Sequence, residues 1–363
     1  MAFRVAIIGT GHVAHLHANA YRASGSAEIV AVADVNDEVR AAFQREYGIP
    51  NTYGDYRAML DSECPDVVSV CVWPHLHPEM TIRAAGTHGV KGILCEKPLA
   101  LTLPAMNEMI AMCRQKGIAL GVGHQLRHQA RVRAVRELIS SGTFGAVRRV
   151  WAVCGSGDLM SNTIHTIDLV HFFCDDRQVT RVFAQVDPGD GAYRFGHPVE
   201  RTSVAYALIP EDGGIPDVRI CVESANCWSQ GYHYITIECA DGTIEINKPG
   251  SPPVIAKGWR SAEEELKELQ EEPDPSTLAV RDLFDAVERH REPVSNGITG
   301  YKAVEFILAI YQSALKRSIV ELPLPLDTPD PLRHFFNWDG VIRGGRGTAF
   351  STTGAVTTTG KIS

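Results

Sequence analysis

The chain has 363 residues, 44% hydrophobic and 21% charged, with a formal net charge of −8. That length exceeds one ordinary hydrophobic core and predicts a globular protein of two domains. The acidic balance leaves no basic stripe to release counterions, which argues against nucleic acid or an anionic membrane as partner, and no run of about 18 apolar residues is present to cross a bilayer.

In chain order, residues 5–8 form a short continuous apolar run, the pattern of a parallel strand covered on both faces. The turn Gly9-Thr10-Gly11-His12-Val13-Ala14 follows at once. Gly9 permits the sharp bend, Gly11 lets a pyrophosphate approach the backbone, and Ala14 is small enough for close helix–strand packing. The helix after this turn offers free N–H groups and the positive end of its dipole to phosphates. A second strand, 28–33, ends at Asp34, about 20 residues beyond Ala14, where a carboxylate can accept ribose hydroxyls. Asp34 also repels a 2′-phosphate, and Val35 and Asn36 supply no cation to offset it. NAD is therefore expected over NADP, although Arg40 one helical turn further on softens the preference.

Strands at 67–72, 92–95 and 119–122 alternate with helices at 36–47, 56–60, 78–88 and 103–116. This βαβ alternation predicts an α/β fold with a doubly wound parallel sheet over residues 1–123, with ligands at the carboxyl ends of the strands. Past residue 124 the character changes. A helix at 130–141 leads to a strand at 147–153 and a helix at 164–173. Strands follow at 180–186, 202–208, 218–223, 234–239 and 243–246, then helices at 262–272, 276–290 and 299–317. Residues 124–322 thus read as an α+β domain with an open, mostly antiparallel sheet, and 323–363 as an extended C-terminal tail. An open sheet with one β-branched face uncovered predicts a homo-oligomer through that face. The N-terminus enters a strand without the apolar core of a signal peptide, and nine scattered cysteines form no C-x-x-C pair. A cytoplasmic protein with reduced thiols is expected.

Two constellations carry chemistry. Glu96-Lys97-Pro98 follows the strand 92–95, where a lysine can be partly desolvated, its pKa lowered, to exchange a proton with a hydroxyl. In Ser161-Asn162-Thr163-Ile164-His165-Thr166-Ile167-Asp168, His165 and Asp168 are three apart and share a helix face, so Asp168 can fix the tautomer of His165. Trp73, Pro74 and His77 are expected to wall the nicotinamide end. His124, Arg127 and His128 lie at the domain junction, either binding substrate hydroxyls or a carboxylate or bonding the domains together; Tyr232 and His233 are of the same type. The basic stretch 127–136 is interleaved with Val and Ala, as in a solvated helix face or a substrate clamp. His75 and His77 form H-x-H without a third ligand, so no metal is expected.

The ordered set Gly9–Ala14, Pro74–His77, Glu96–Pro98, Gly123–Arg127, Gly142–Gly145 and His165-x-x-Asp168 resembles the glucose–fructose oxidoreductase / inositol dehydrogenase / MocA-type (Gfo/Idh/MocA) family over residues 3–322. The resemblance implies a Rossmann domain with an open-sheet α/β domain, and NAD(P)-dependent oxidation or reduction at a carbinol of a sugar, cyclitol or related polyol. It places the family's lysine on Lys97 and its catalytic histidine on His165. Inositol dehydrogenase-type members carry an aspartate four residues before that histidine. Here the position is Ser161, followed by Asn162, and a serine cannot hold a charge as a carboxylate does. Two alternatives stay open: redox-neutral use of tightly held NAD, as in epimerases and glycosidases of this type, and a nucleotide-sensing regulator without turnover.

Overall fold

Alternation of buried apolar runs with amphipathic helices builds the first half of the chain. The computed structural model describes residues 2–155, 158–224, 233–247, 254–258 and 273–341. Its first half runs β1 (Phe3–Ile8), α1 (His12–Ser24), β2 (Ala27–Ala33), α2 (Asp37–Tyr47), β3 (Asn51–Tyr53) and α3 (Tyr56–Glu63). It continues with β4 (Val67–Val70), α4 (His77–Ala85), β5 (Gly92–Cys95), α5 (Leu103–Lys116) and β6 (Ala119–Val122). The six strands pair in parallel in the order β3-β2-β1-β4-β5-β6. β4 and β5 are buried at every position, as parallel strands covered on both faces must be. The strand order reverses between β1 and β4, and a crevice opens at such a switch point beyond the carboxyl ends of the strands. Gly9 makes the turn there possible. Its φ is +89°, and a Cβ on it would come within 2.5 Å of the Cys71 carbonyl oxygen.

The second half contains α6 (Ala130–Ser140), β7 (Val147–Cys154), α7 (Ile164–Phe173), β8 (Arg181–Asp187), the short pair β9 (Tyr193–Arg194) and β10 (His197–Pro198), β11 (Thr202–Ile209) and β12 (Val218–Ser224). β13 (Tyr234–Cys239), β14 (Gly242–Ile246), β15 (Val254–Gly258), α8 (Pro275–Arg289), α9 (Gly297–Lys316), β16 (Val320–Glu321) and α10 (Pro331–Phe335) complete it. Eight strands form one sheet in the order β15-β14-β13-β7-β12-β11-β8-β16. Only β7 and β12 run parallel; every other neighbouring pair is antiparallel. Helices α7 and α9 pack on one face. On the other, Phe183, Tyr206 and Trp151 stay exposed in a single cross-strand row with Cys221.

The short strands β3, β9, β10 and β16 escape sequence reading because two or three residues are too few to establish a period of two. Two segments make contacts beyond their expected units. α8, expected with the second domain, also closes the Rossmann half: Phe284 stacks on Phe3 at 4.3 Å and on Tyr21 at 6.0 Å, in one core with Val5, Ile7 and Val280. Residues 323–341, expected as extended tail, fold back on α9. Leu324, Leu332 and Trp338 are buried there, and the rings of Phe335 and Phe336 lie 5.4 and 5.5 Å from Tyr311. The predicted helix 262–272 and residues 342–363 lie outside the described residues. No helix among the described residues is long and apolar enough to cross a membrane.

Candidate active site

A cavity of about 450 Å³ lies beyond the carboxyl ends of β1, β4 and β5, and residues of the second half line its far side. At one end, α1 starts on Gly11, a cap without a side chain, so the N–H groups of His12 and Val13 have no side-chain cap while Ala14 N donates to the Gly11 carbonyl at 3.0 Å. A Cβ on Gly11 would meet nothing within 4 Å, so the space above the helix start is open, and His12 and Val13 flank it. Ala14, fully buried, packs α1 against the sheet. Asp34 ends β2. Its Oδ2 accepts from Thr10 N at 2.8 Å and Thr10 Oγ1 at 3.0 Å, and its Oδ1 from Asn36 N at 2.8 Å. Three of roughly four acceptor positions are thereby filled, leaving one for a ribose hydroxyl rather than two. Arg40 is engaged too, by the Asp34 carbonyl at 2.6 Å and Asp37 at 2.7 Å, so it is not a free partner for a 2′-phosphate. Open helix terminus, bare glycine and ordered carboxylate together fit a dinucleotide without a 2′-phosphate.

Toward the other end, Trp73, Pro74, Glu96 and Lys97 line the cavity from the first half. Glu96 is buried. It accepts from His17 Nε2 at 2.9 Å, and its Oε2 accepts from the Lys97 backbone N–H at 3.1 Å. His17 also meets Ser69 Oγ at 2.9 Å, which takes the Tyr21 hydroxyl at 2.7 Å. Burial works against a charged His17, but the Cys71 sulfur and the Glu96 carboxylate outweigh it and push its pKa up to about 10. The result is a fixed ion pair in the cavity wall. Gly123 completes it, since a Cβ there would strike Glu96 Oε1 at 2.8 Å. Nothing local marks this pairing, because His17 and Glu96 are 79 residues apart.

Lys97 precedes a cis peptide to Pro98 and points across the cavity, its Nζ donating to the Ser161 carbonyl at 2.6 Å. Ser161 therefore serves through its backbone; its buried Oγ has no partner among the described residues. Asn162 and His165 line the cavity beside it. Asp158, the nearest carboxylate in sequence, does not stand in for the missing aspartate: it accepts from Ser161 N at 2.8 Å and pairs with Arg194 at 3.3 Å. His165 is packed edge-to-face by His124 at 5.5 Å and His233 at 5.9 Å. Burial, then Lys97, His124 and His233, hold its pKa well below the ordinary 6.5. Burial, opposed by Glu96 and Asp158, lowers the Lys97 pKa as well. His124 is fully buried with no partner for either ring nitrogen among the described residues, and His233 meets Thr166 Oγ1 at 2.8 Å. Tyr232 lies outside the described residues.

Geometry departs from two expected roles and narrows a third. Asp168 does not orient His165, whose Nδ1 has no partner among the described residues. Its carboxylate is taken instead by Arg127 Nε, at 3.0 and 2.8 Å. Arg127, open between substrate binding and structural bonding, has structural partners: 1% exposed, it also binds Asp176 at 2.7 Å and stacks 5.0 Å from the Phe172 ring centroid. His77 does not wall the cavity either. It is buried between the Pro98 carbonyl, 2.9 Å from Nδ1, and the Val72 carbonyl, 3.0 Å from Nε2, pinning two strand-end loops together. Sequence reading missed Phe195, on the turn between β9 and β10, which reaches into the cavity from the second half.

Comparison with known proteins identifies the family. Residues 3–124 match the family GFO_IDH_MocA, described as "Oxidoreductase family, NAD-binding Rossmann fold", and residues 138–322 match its "C-terminal alpha/beta domain". The chain is 26% identical to D-apiose dehydrogenase of Paraburkholderia graminis, covering 88% of this chain and 90% of that protein. It is 28% identical to 1,5-anhydro-D-fructose reductase of Ensifer adhaerens, covering 84% and 93%. Among solved structures, a levoglucosan dehydrogenase complex with NADH and levoglucosan shares the fold, with a TM-score of 0.74 at 21% identity, over 89% of this chain and all of that one.

Proposed function

We propose a function from one premise: this chain belongs to the Gfo/Idh/MocA oxidoreductase family, with its NAD-binding Rossmann fold and C-terminal α/β domain. On that premise it is an NAD-dependent oxidoreductase acting at a secondary hydroxyl of a sugar, sugar derivative, glycoside or cyclitol. The observation that carries this reading is the meeting of the Lys97 ammonium and the His165 imidazole in the cavity that also holds the open terminus of α1. The sugar-directed names of the similar apiose and anhydrofructose enzymes support the substrate class.

Gly11, His12, Val13 and Asp34 would hold the dinucleotide, whose nicotinamide would supply hydride exchange with the carbinol carbon. Lys97 keeps one of its three donors on Ser161 O and offers the others to the substrate oxygen, stabilising negative charge as it develops. His165, neutral and lining the cavity, accepts the hydroxyl proton in oxidation and returns it in reduction. Asn162 contributes hydrogen-bonding capacity beside them.

The test is a panel of sugars, glycosides, cyclitols and polyols scored for NADH formation across pH. At least one carbinol substrate should give net NADH with NAD preferred over NADP; none doing so overturns the reading. His165 works in its neutral form, and its pKa lies well below 6.5, so kcat/KM should hold its plateau as pH falls through 6.5 and decline only below it. A half-fall above pH 7 would assign the proton to another group.

The uncovered sheet face is proposed as a contact between copies of this chain, since Phe183, Tyr206 and Trp151 form an apolar row that water disfavours. Sedimentation equilibrium should report a species larger than one chain, and Tyr206→Lys should shift it toward the monomer.

A further inference from the structure

Phe195 occupies a backbone conformation that its side chain disfavours. β9 and β10 pair Arg194 with His197 and Tyr193 with Pro198, so Phe195 and Gly196 are the whole of a two-residue turn. Both have positive φ, +49° and +87°. Turns of that pattern are normally filled by Asn-Gly or Asp-Gly, because a short polar side chain tolerates the left-handed region and a bulky aromatic one does not. The ring is not compensated by burial in a core, for Phe195 remains 48% exposed. It lines the cavity instead, as does Trp73 from the first half, itself 41% exposed.

The turn is tied to the reacting groups. Arg194 pairs with Asp158, Asp158 caps the segment carrying Ser161 and Asn162, and the Ser161 carbonyl holds Lys97. A strained residue, aromatic where a small polar one belongs, lining a cavity and tethered to its chemistry, fits the pattern of strain retained for function.

We propose that Phe195 is a specificity-determining wall of the substrate subsite, its ring packing on the C–H face of a ring-form sugar or cyclitol and so favouring cyclic substrates over open-chain polyols. This deepens, and rests on, the carbinol oxidoreduction proposed above. A closed ring presents several C–H groups as one contiguous apolar patch, whereas an alditol presents such a patch only after its rotors are frozen, at an entropic cost. Lys97, His165 and Asn162 supply the few polar groups that orient the hydroxyls, and the aromatic wall supplies the apolar area, the usual division of labour in small-molecule pockets.

Phe195→Asn separates folding from recognition, because asparagine suits the turn. In the full-length protein its Tm should equal or exceed that of the parent. The KM of the best ring-form substrate should rise relative to the Ki of an open-chain polyol of the same carbon number by about tenfold, the scale of losing one good apolar contact in a pocket. NADH affinity, read by nicotinamide fluorescence, should not move. Phe195→Tyr keeps the aromatic face and should keep the parental ratio. An unchanged ratio in Phe195→Asn with Tm maintained overturns the inference, as does a loss of NADH affinity in step with the rise in KM. If the parent chain turns over no carbinol compound, the oxidoreductase reading and this inference fall together; if it does and the ratio is unmoved, only this inference falls.

Discussion

Lys97→Met should lower kcat/KM for the carbinol substrate by roughly 10²–10⁴-fold, the range general acid–base groups contribute, while NADH affinity stays within about threefold. Methionine retains the unbranched stem, so packing under Pro98 and against the second half is preserved. What disappears is the ammonium and its bond to the Ser161 carbonyl. Among the described residues that ammonium is the cation of the reactive end not already paired with a carboxylate: His17 is bound to Glu96 and Arg194 to Asp158. Its loss leaves the substrate oxygen without a charged donor. An interaction made mainly as charge develops on that oxygen is lost chiefly from kcat. Near-parental turnover would remove Lys97 from the chemistry. A parallel collapse of NADH affinity would make it a cofactor ligand instead.

Arg127→Met should destabilise the protein by about 3–5 kcal/mol, measured by urea unfolding, because it strands a buried carboxylate. Arg127 binds both oxygens of Asp168 and reaches the Asp168 carbonyl at 3.3 Å, and Asp168 is fully buried. Restoring charge balance with Asp168→Leu in the same chain should recover much of the loss, since replacing both partners of a buried pair costs far less than removing one. The pH dependence has a definite sign. Burial tends to raise the Asp176 pKa, but Arg127 outweighs it and holds the carboxyl below its ordinary 3.8. That share of stability is fully present above the ordinary carboxylate value and fades as pH falls through the lowered one, so the gap between parent and variant should narrow in acid. A variant with normal stability and a raised KM would restore Arg127 to the substrate site.

The cofactor end was legible in sequence and the substrate end only in part, for a physical reason. Gly9, Gly11, Ala14 and Asp34 act through backbone geometry and position at strand ends, which short-range pattern encodes directly. Lys97 was legible for the same reason, as a lysine directly beyond a buried strand. His165 and Asp168 do sit on one helix, but helical spacing cannot say that Asp168 meets an arginine 41 residues away before it meets its neighbour. Likewise His77 has the composition of a pocket residue, and only the return of the chain at Pro98 turns it into a clasp between loops. Phe195 gave no signal at all. Phenylalanine before glycine reads as an ordinary apolar residue until a turn forces it into left-handed backbone.

The return of α8 to the first half has a consequence for how the chain is made. The sheet begins with β1 at residue 3, yet the apolar surface formed by Phe3, Tyr21 and Leu94 is sealed by Val280, Leu283 and Phe284. About 280 residues separate Phe3 from Phe284 and must be made before the first strand is fully sheltered, a separation between contacting segments that slows folding and prolongs exposure to aggregation. The nascent Rossmann half waits on the synthesis of its partner, so translation speed and chaperone occupancy over that interval become properties of the fold itself.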